Sequence, residues 1–205
     1  MFQDLHVVDF HAHVPIKGDV PASTGQAERD RAAWRLAWDF PEPEPEAHDQ
    51  PVDAIADRWL AELDRYSIDR VGFATGGGND TLARAVARHP ARFIGFAHHN
   101  PFRPGAADKM RRAVNTLGLR GLKILAPALE RRIDDRDLYP LWEAVGELGV
   151  PVLIHFGMLG AGGGISWNER DNPGALERVA RPTRAGSRVG LAFGIYRIRS
   201  ALAVS

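Results

Sequence analysis

The chain alternates short apolar runs with segments of helical periodicity, and this alternation restricts its fold more than any other feature. Runs such as Phe93–Ala97 and Val150–His155 lack regular polar alternation, which is typical of strands buried on both faces of a parallel sheet. Between them lie amphipathic segments such as Asp53–Tyr66. Two architectures fit this pattern, a doubly wound open sheet and a (β/α)8 barrel, and periodicity does not separate them.

Composition excludes several classes of function. The 205 residues include 26 basic and 26 acidic side chains, so no net charge favours nucleic acid or an anionic membrane as a partner. The N-terminus lacks the pattern of a signal peptide, and no apolar run is long enough to span a bilayer. We therefore expect one domain over residues 1–205 and a cytoplasmic protein that binds neither nucleic acid nor a membrane. Homo-oligomerisation is left open.

Two histidines end the first predicted strand, Val7–Val14. Because side chains two apart on a strand share a face, Asp9, His11 and His13 are expected to point the same way. Two neutral imidazoles at a strand end are half of a zinc or similar site, and the absence of cysteine leaves only nitrogen and oxygen ligands. The same spacing also occurs in histidine pairs that bind only solvent or backbone.

Two segments together resemble a known family. The segment Asp9–His13 resembles the first-strand motif of the amidohydrolase superfamily, and Tyr139–His155 resembles its fifth strand with the preceding helix. The nearest branch resembles the amidohydrolase-related group, which includes aminocarboxymuconate-semialdehyde decarboxylase and hydrolase relatives. This resemblance implies a TIM-type (β/α)8 barrel. The barrel is expected to be incomplete, with about five to six βα units, because a closed one takes about 250 residues.

The resemblance also implies a site and a chemistry. His155 would join His11 and His13 as a metal ligand, zinc is the expected divalent ion, and Asp9 would orient a histidine. A metal-activated water would then attack an amide, ester or lactone bond of a small-molecule substrate. A non-oxidative decarboxylase would use the same ligands, so it remains the first alternative. An inactive, truncated remnant is the second.

Other polar side chains sit where they could reach the substrate. Lys123 lies within an apolar strand, where a charged lysine must pair, lose its proton or be modified, so we treat it as a catalytic candidate. His98 and His99 end the third strand, and only one of them can face the centre. Both are candidate substrate contacts.

Two loops are also candidates for the active-site rim. Residues 15–52 form a long insertion that leaves the first strand beside the histidine pair. It is expected to act either as a lid, with Trp38 contacting substrate, or as a surface excursion. Gly76–Gly78 lacks the spacing of a nucleotide-binding loop and predicts a flexible active-site turn.

The C-terminal part departs from the family pattern. A histidine should end the sixth strand and an aspartate the eighth, but Phe193 occupies the histidine position and the aspartate is missing. Residues 181–205 form an atypical tail that is rich in arginine and has no acidic residue. We expect a truncation or a shifted reading frame near Arg181, or else a short variant with a degenerate sixth strand.

Overall fold

Six parallel strands form the centre of the protein. The computed structural model describes residues 6–14, 16, 50–126, 129, 131–156 and 189–193. Within these ranges the strands follow one another in the sheet in chain order. Their bounds are β1 Val8–His13, β2 Arg70–Thr75, β3 Phe93–His98, β4 Gly121–Leu125, β5 Val152–Phe156 and β6 Val189–Phe193.

The strand order separates the two architectures that the sequence leaves open. In a doubly wound sheet the order in which successive strands are added reverses at a switch point, so the strands do not lie side by side in chain order. Here each strand pairs in parallel with the next one along the chain, as in a barrel. The fold is therefore α/β and corresponds to an incomplete TIM-type barrel, as predicted.

Helices connect the strands and cover the outside of the sheet. They are α1 Val52–Arg65, α2 Asn79–Arg88, α3 Ala106–Asn115 and α4 Tyr139–Leu148, and a 3₁₀ turn at Arg136–Leu138 precedes α4. The sequence predicts Asp137 as the cap before the last helix. In the structure Asp135 caps the 3₁₀ turn instead, and its side chain accepts the backbone N–H of Asp137. The helix itself begins at Tyr139.

Buried strand residues fall into two sets on opposite faces of the sheet. The outer set packs against the helices and includes Val71, Phe73, Phe93, Leu122, Ile124, Val152 and Ile154 with Ile55, Leu82, Met110 and Trp142. The inner set consists of Ala74, Phe96 and Leu153, with Ile94 packed against them. Because strand residues alternate between faces, the inner set defines the interior of the barrel.

Several predicted segments fall partly or wholly outside the described residues. Most of the 15–52 insertion, including Trp38, is among them, and of the 181–205 tail only β6 is described. That strand ends at Phe193, whose backbone pairs with Phe156, so a sixth strand ends at the predicted position. Among the described helices, none is long and apolar enough to cross a membrane.

Candidate active site

Two histidines of the central strands share the interior face of the sheet. His98 lies two residues after Phe96, and His155 lies two residues after Leu153. Since Phe96 and Leu153 belong to the inner set, alternation places His98 and His155 on the same face. Both lie near the carboxyl ends of their strands, where TIM barrels place their active sites.

A β-bulge in the first strand adds His11 to this interior. The pairing of β1 with β2 shifts between Asp9 and Ala12, where β1 has one more residue than its partner. The Phe10 ring is half exposed and lies 6.0 Å from that of Phe96, a residue of the inner set. The next residue, His11, also reaches the interior. The sequence predicts that side chains alternate between the two faces along the whole strand. The bulge interrupts this alternation between Asp9 and Ala12.

The carboxylate of Asp9 supports the bulge. It accepts the backbone N–H of His11 at 2.9 Å. Asp9 is exposed and makes this contact to the backbone of the histidine rather than to its ring. Its contribution to the site in the structure is thus to hold the strand conformation that turns His11 inward.

His11 and His13 lie side by side at the end of β1. Their ring centroids are 5.1 Å apart and the rings are tilted by 46°. Nδ1 of His13 lies 2.6 Å from the hydroxyl oxygen of Thr75, at the end of the neighbouring strand. The two imidazoles that the sequence predicts as a pair are therefore adjacent, and one of them is held by β2.

Lys123 projects into the same interior from β4. It is fully buried, and it is the only charged or polar residue among the buried residues of the described part of the chain. Its Nζ lies 3.2 Å from Nε2 of His11. Burial lowers the pKa of Lys123 to about 8. The expectation that this lysine must pair or be desolvated agrees with both observations.

The surroundings keep both imidazoles of β1 neutral. Burial is the main cause that lowers the pKa of His11, and the positive charge of Lys123 adds to it. For His13, burial and the neighbouring His11 and Lys123 lower the pKa to about 4, although part of the side chain reaches solvent. At pH 7 both rings are therefore neutral, which is the form that binds a metal.

The structure distinguishes His98 from His99. On the interior face, Nδ1 of His98 lies 3.1 Å from the carbonyl oxygen of Lys123, and its backbone N–H donates to Oδ1 of Asn79 at 2.8 Å. Burial lowers its pKa. His99 lies on the opposite strand face, where Nε2 is 3.1 Å from the carbonyl oxygen of Ala106 in α3. His98 is thus the one that faces the centre.

The described residues have the right chemistry to bind a divalent cation, but they supply fewer ligands than a complete site needs. His11 and His13 supply two adjacent neutral imidazoles, and His155 lies near enough to lower the pKa of both. In the described residues, however, no group of three or more His, Asp or Glu is arranged to hold a metal. Among the described residues, His155 is the nearest further candidate ligand, and water or substrate would complete the coordination.

Two residues that sequence reasoning missed contribute to the site. Thr75 contacts His13, and Asn79 contacts the backbone of His98. Both flank the glycine run Gly76–Gly78, which the sequence predicts as an active-site turn. The polar residues on either side of that turn were the available signal.

Comparison with known sequences places the chain in one family. The amidohydrolase family model matches residues 8–187. Over 79 residues the chain is 34% identical to the 2-amino-3-carboxymuconate-6-semialdehyde decarboxylase of Dictyostelium discoideum, a match that covers 38% of this chain and 22% of that protein. Over 84 residues it is 36% identical to the gamma-resorcylate decarboxylase of Polaromonas sp. (strain JS666), covering 38% of this chain and 26% of that protein. The matched region thus spans about a quarter of each curated relative.

Solved structures of decarboxylases share the fold. A dihydroxybenzoic acid decarboxylase from Polaromonas sp. JS666, with bound manganese and the inhibitor 2-nitroresorcinol, superposes with a TM-score of 0.58 at 20% identity, covering 91% of this chain and 64% of that one. The 5-carboxyvanillate decarboxylase from Sphingomonas paucimobilis gives 0.56 at 21% identity, covering 92% and 67%. Because the family model matches most of its sequence, the chain belongs to the amidohydrolase family, and its incomplete TIM-type barrel agrees with this.

Proposed function

We propose that this chain carries part of the active site of a metal-dependent, non-oxidative decarboxylase that acts on an aromatic or unsaturated carboxylic acid. The observation that carries the proposal is the convergence of His11, His13 and Lys123 in the barrel interior. Both curated relatives are named decarboxylases, which favours this reaction over the hydrolysis that the sequence suggests first. Hydrolysis has support only at the level of the family.

The cation would be held by the neutral imidazoles of β1. His11 and His13 are the ligands that the proposal requires, and His155 is the third candidate. When bound, a divalent cation would supply a Lewis acid for an oxygen of the substrate. Zinc is the ion expected from the sequence, whereas a solved relative contains manganese. Imidazole ligands bind zinc more tightly than manganese, so occupancy by manganese would depend on its availability as well as on the site.

The remaining interior residues would handle the substrate and the proton. In decarboxylation the bond between the carboxylate and the adjacent carbon breaks, CO₂ leaves, and that carbon takes up a proton. The buried ammonium of Lys123 would attract the anionic acid into a site of low dielectric. The Lys123 ammonium, whose pKa burial lowers to about 8, would give that carbon its proton and be reprotonated by water. His98 would accept a hydrogen bond from the substrate on Nε2, because its Nδ1–H faces the Lys123 carbonyl.

A direct assay separates the candidate reactions. The 205-residue chain is supplied with Mn²⁺ or Zn²⁺ and incubated with 2,6-dihydroxybenzoate or 5-carboxyvanillate, and released CO₂ and the decarboxylated product are measured. Parallel reactions contain simple esters and lactones. We expect CO₂ release that is lost on chelation. Turnover of esters or lactones alone, or no turnover of any substrate, would overturn the proposal.

Metal content tests the site itself. The double variant His11→Ala/His13→Ala is expected to retain less divalent metal after dialysis than the wild-type chain. His6→Ala is the matched control, since His6 is exposed just before β1 and its ring lies 3.1 Å from the Asp69 carboxylate, away from the histidine pair. Equal metal content in the wild-type chain and the double variant would contradict the assignment of these ligands.

A further inference from the structure

Thr75 lies where its hydroxyl can hydrogen-bond to one imidazole of the histidine pair, that of His13. Its Oγ1 lies 2.6 Å from Nδ1 of His13, a short hydrogen bond between side chains 62 residues apart in sequence. The two residues are register partners in the parallel pair of β1 and β2. The contact therefore follows from the sheet and does not depend on a long side chain reaching from elsewhere.

The backbone around Thr75 fixes the position of its hydroxyl. Its carbonyl oxygen accepts the N–H of Val14 at 3.0 Å, which ties the residue to the strand that carries His13. The next residue, Gly76, approaches β1 so closely that a Cβ there would lie 3.1 Å from Cβ of Val14. Gly78 has φ 91°, a conformation that favours glycine, where the turn enters α2. The turn thus permits close contact between the ends of β1 and β2.

The hydrogen bond bears on the tautomer of His13. A neutral imidazole has one N–H, and the nitrogen that binds a metal must be the other one. If Nδ1–H donates to Oγ1 of Thr75, then Nε2 keeps its lone pair. If the threonine hydroxyl donates to Nδ1 instead, the hydrogen lies on Nε2 and that atom cannot bind a cation.

We propose that Thr75 is a positioning residue, whose hydroxyl oxygen accepts Nδ1–H of His13 and so directs the Nε2 lone pair to a divalent cation. The inference rests on the proposed function for the identity of the ligand. It assigns a task to the segment Thr75–Asn79, since Asn79 at its other end holds the backbone of His98. The glycine run between them brings both supports to the site.

Nitrogen NMR of the metal-free chain tests the tautomer directly. In protein labelled with ¹⁵N at histidine, two-bond ¹H–¹⁵N spectra near pH 7.5 distinguish Nδ1–H from Nε2–H. We expect Nδ1–H for His13 in the wild-type chain and in Thr75→Ser, which keeps a hydroxyl. In Thr75→Val we expect a shift to Nε2–H, the form that free histidine prefers. Thr81→Val, the same change at a half-buried threonine of α2, should leave the signal unchanged.

Calorimetric titration with Zn²⁺ supplies the second readout. Loss of an orienting partner typically weakens metal binding by about 10- to 100-fold, so Thr75→Val should bind more weakly by about that factor, whereas Thr75→Ser and Thr81→Val should not. An Nε2–H signal in the wild-type chain, or unchanged tautomer and affinity in a folded Thr75→Val, would overturn the inference. If Thr75→Val does not fold, the spectra of the wild-type chain and Thr75→Ser still test the inference, which requires Nδ1–H on His13 in both. Absence of Zn²⁺ binding by the wild-type chain would count against the proposed function, while the tautomer still reports on Thr75.

Discussion

Replacing Lys123 by methionine should stabilise the metal-free protein at neutral pH. Methionine retains an unbranched apolar chain in the barrel interior but removes the buried ammonium group. Lowering the pKa of Lys123 from 10.5 to about 8 corresponds to about 3 kcal/mol of unfavourable charge burial at pH 7, at about 1.4 kcal/mol per pH unit. The lost contact with His11 offsets part of this gain. We expect the variant to be more stable by about 1–3 kcal/mol.

The sign of the pH dependence follows from the same shift. Between pH 8 and 10.5 the unfolded wild-type chain holds a proton that the folded chain has released, so the free energy of unfolding rises with pH in this window. The variant lacks this contribution. The difference in stability between the two proteins should therefore be largest at or below pH 7 and should shrink towards pH 10.

Urea unfolding followed by circular dichroism, with a chelator present, measures both effects. Lys109→Met is the matched control, because Lys109 is exposed on α3 and its replacement should change stability by less than about 0.5 kcal/mol. A Lys123→Met protein that is no more stable than wild type at pH 7 would contradict the reasoning. So would a difference in stability that is the same at pH 7 and pH 10, since it would mean that Lys123 titrates normally.

Two further predictions concern packing, and both are measured by the same unfolding curves. Trp142→Phe removes a buried Nε1–H that donates to the carbonyl oxygen of Ile133 at 3.0 Å. It should destabilise the protein by about 1–3 kcal/mol, because the carbonyl oxygen is left without this partner. Equal stability of the variant and the wild type would show that the hydrogen bond does not stabilise the fold. Gly121→Ala would place a Cβ 2.4 Å from the Phe96 ring and 2.9 Å from the carbonyl oxygen of Pro151. It should cost about 1–3 kcal/mol, and an alanine variant as stable as wild type would show that the interior can expand there.

Local sequence patterns were sufficient to predict β1 to β5 and α1 to α4, whereas β6 was expected only from the family resemblance and the 3₁₀ turn was not predicted. Apolar runs and helical periodicity are properties of residues close together in the chain, so they can be identified in the sequence without knowledge of the fold. The choice between an open sheet and a barrel did not follow from them, because strand order depends on contacts between distant segments. Here the resemblance of Asp9–His13 and Tyr139–His155 to one family supplied what periodicity could not.

The sequence indicated that His11 and His13 lie together but not how the strands place them. The spacing of His11 and His13 indicated a pair, and the rings are indeed adjacent. The bulge beside them was not predictable, because it is a mismatch between β1 and β2 and has no signature in either strand alone. Likewise, the interior histidine of the pair His98 and His99 could not be chosen, since both faces of a parallel strand are apolar.

The contact between His11 and Lys123 joins strands that are not neighbours. β1 and β4 are separated in the sheet by β2 and β3, yet the two side chains meet at 3.2 Å across 112 residues of sequence. Such a contact forms only when the sheet has curled, and closing so long a loop is slow compared with forming each strand–helix unit. We therefore expect the site to assemble late in folding. A cation that needs residues from both strands would therefore bind only after the sheet has curved, and its binding would mark that stage of folding.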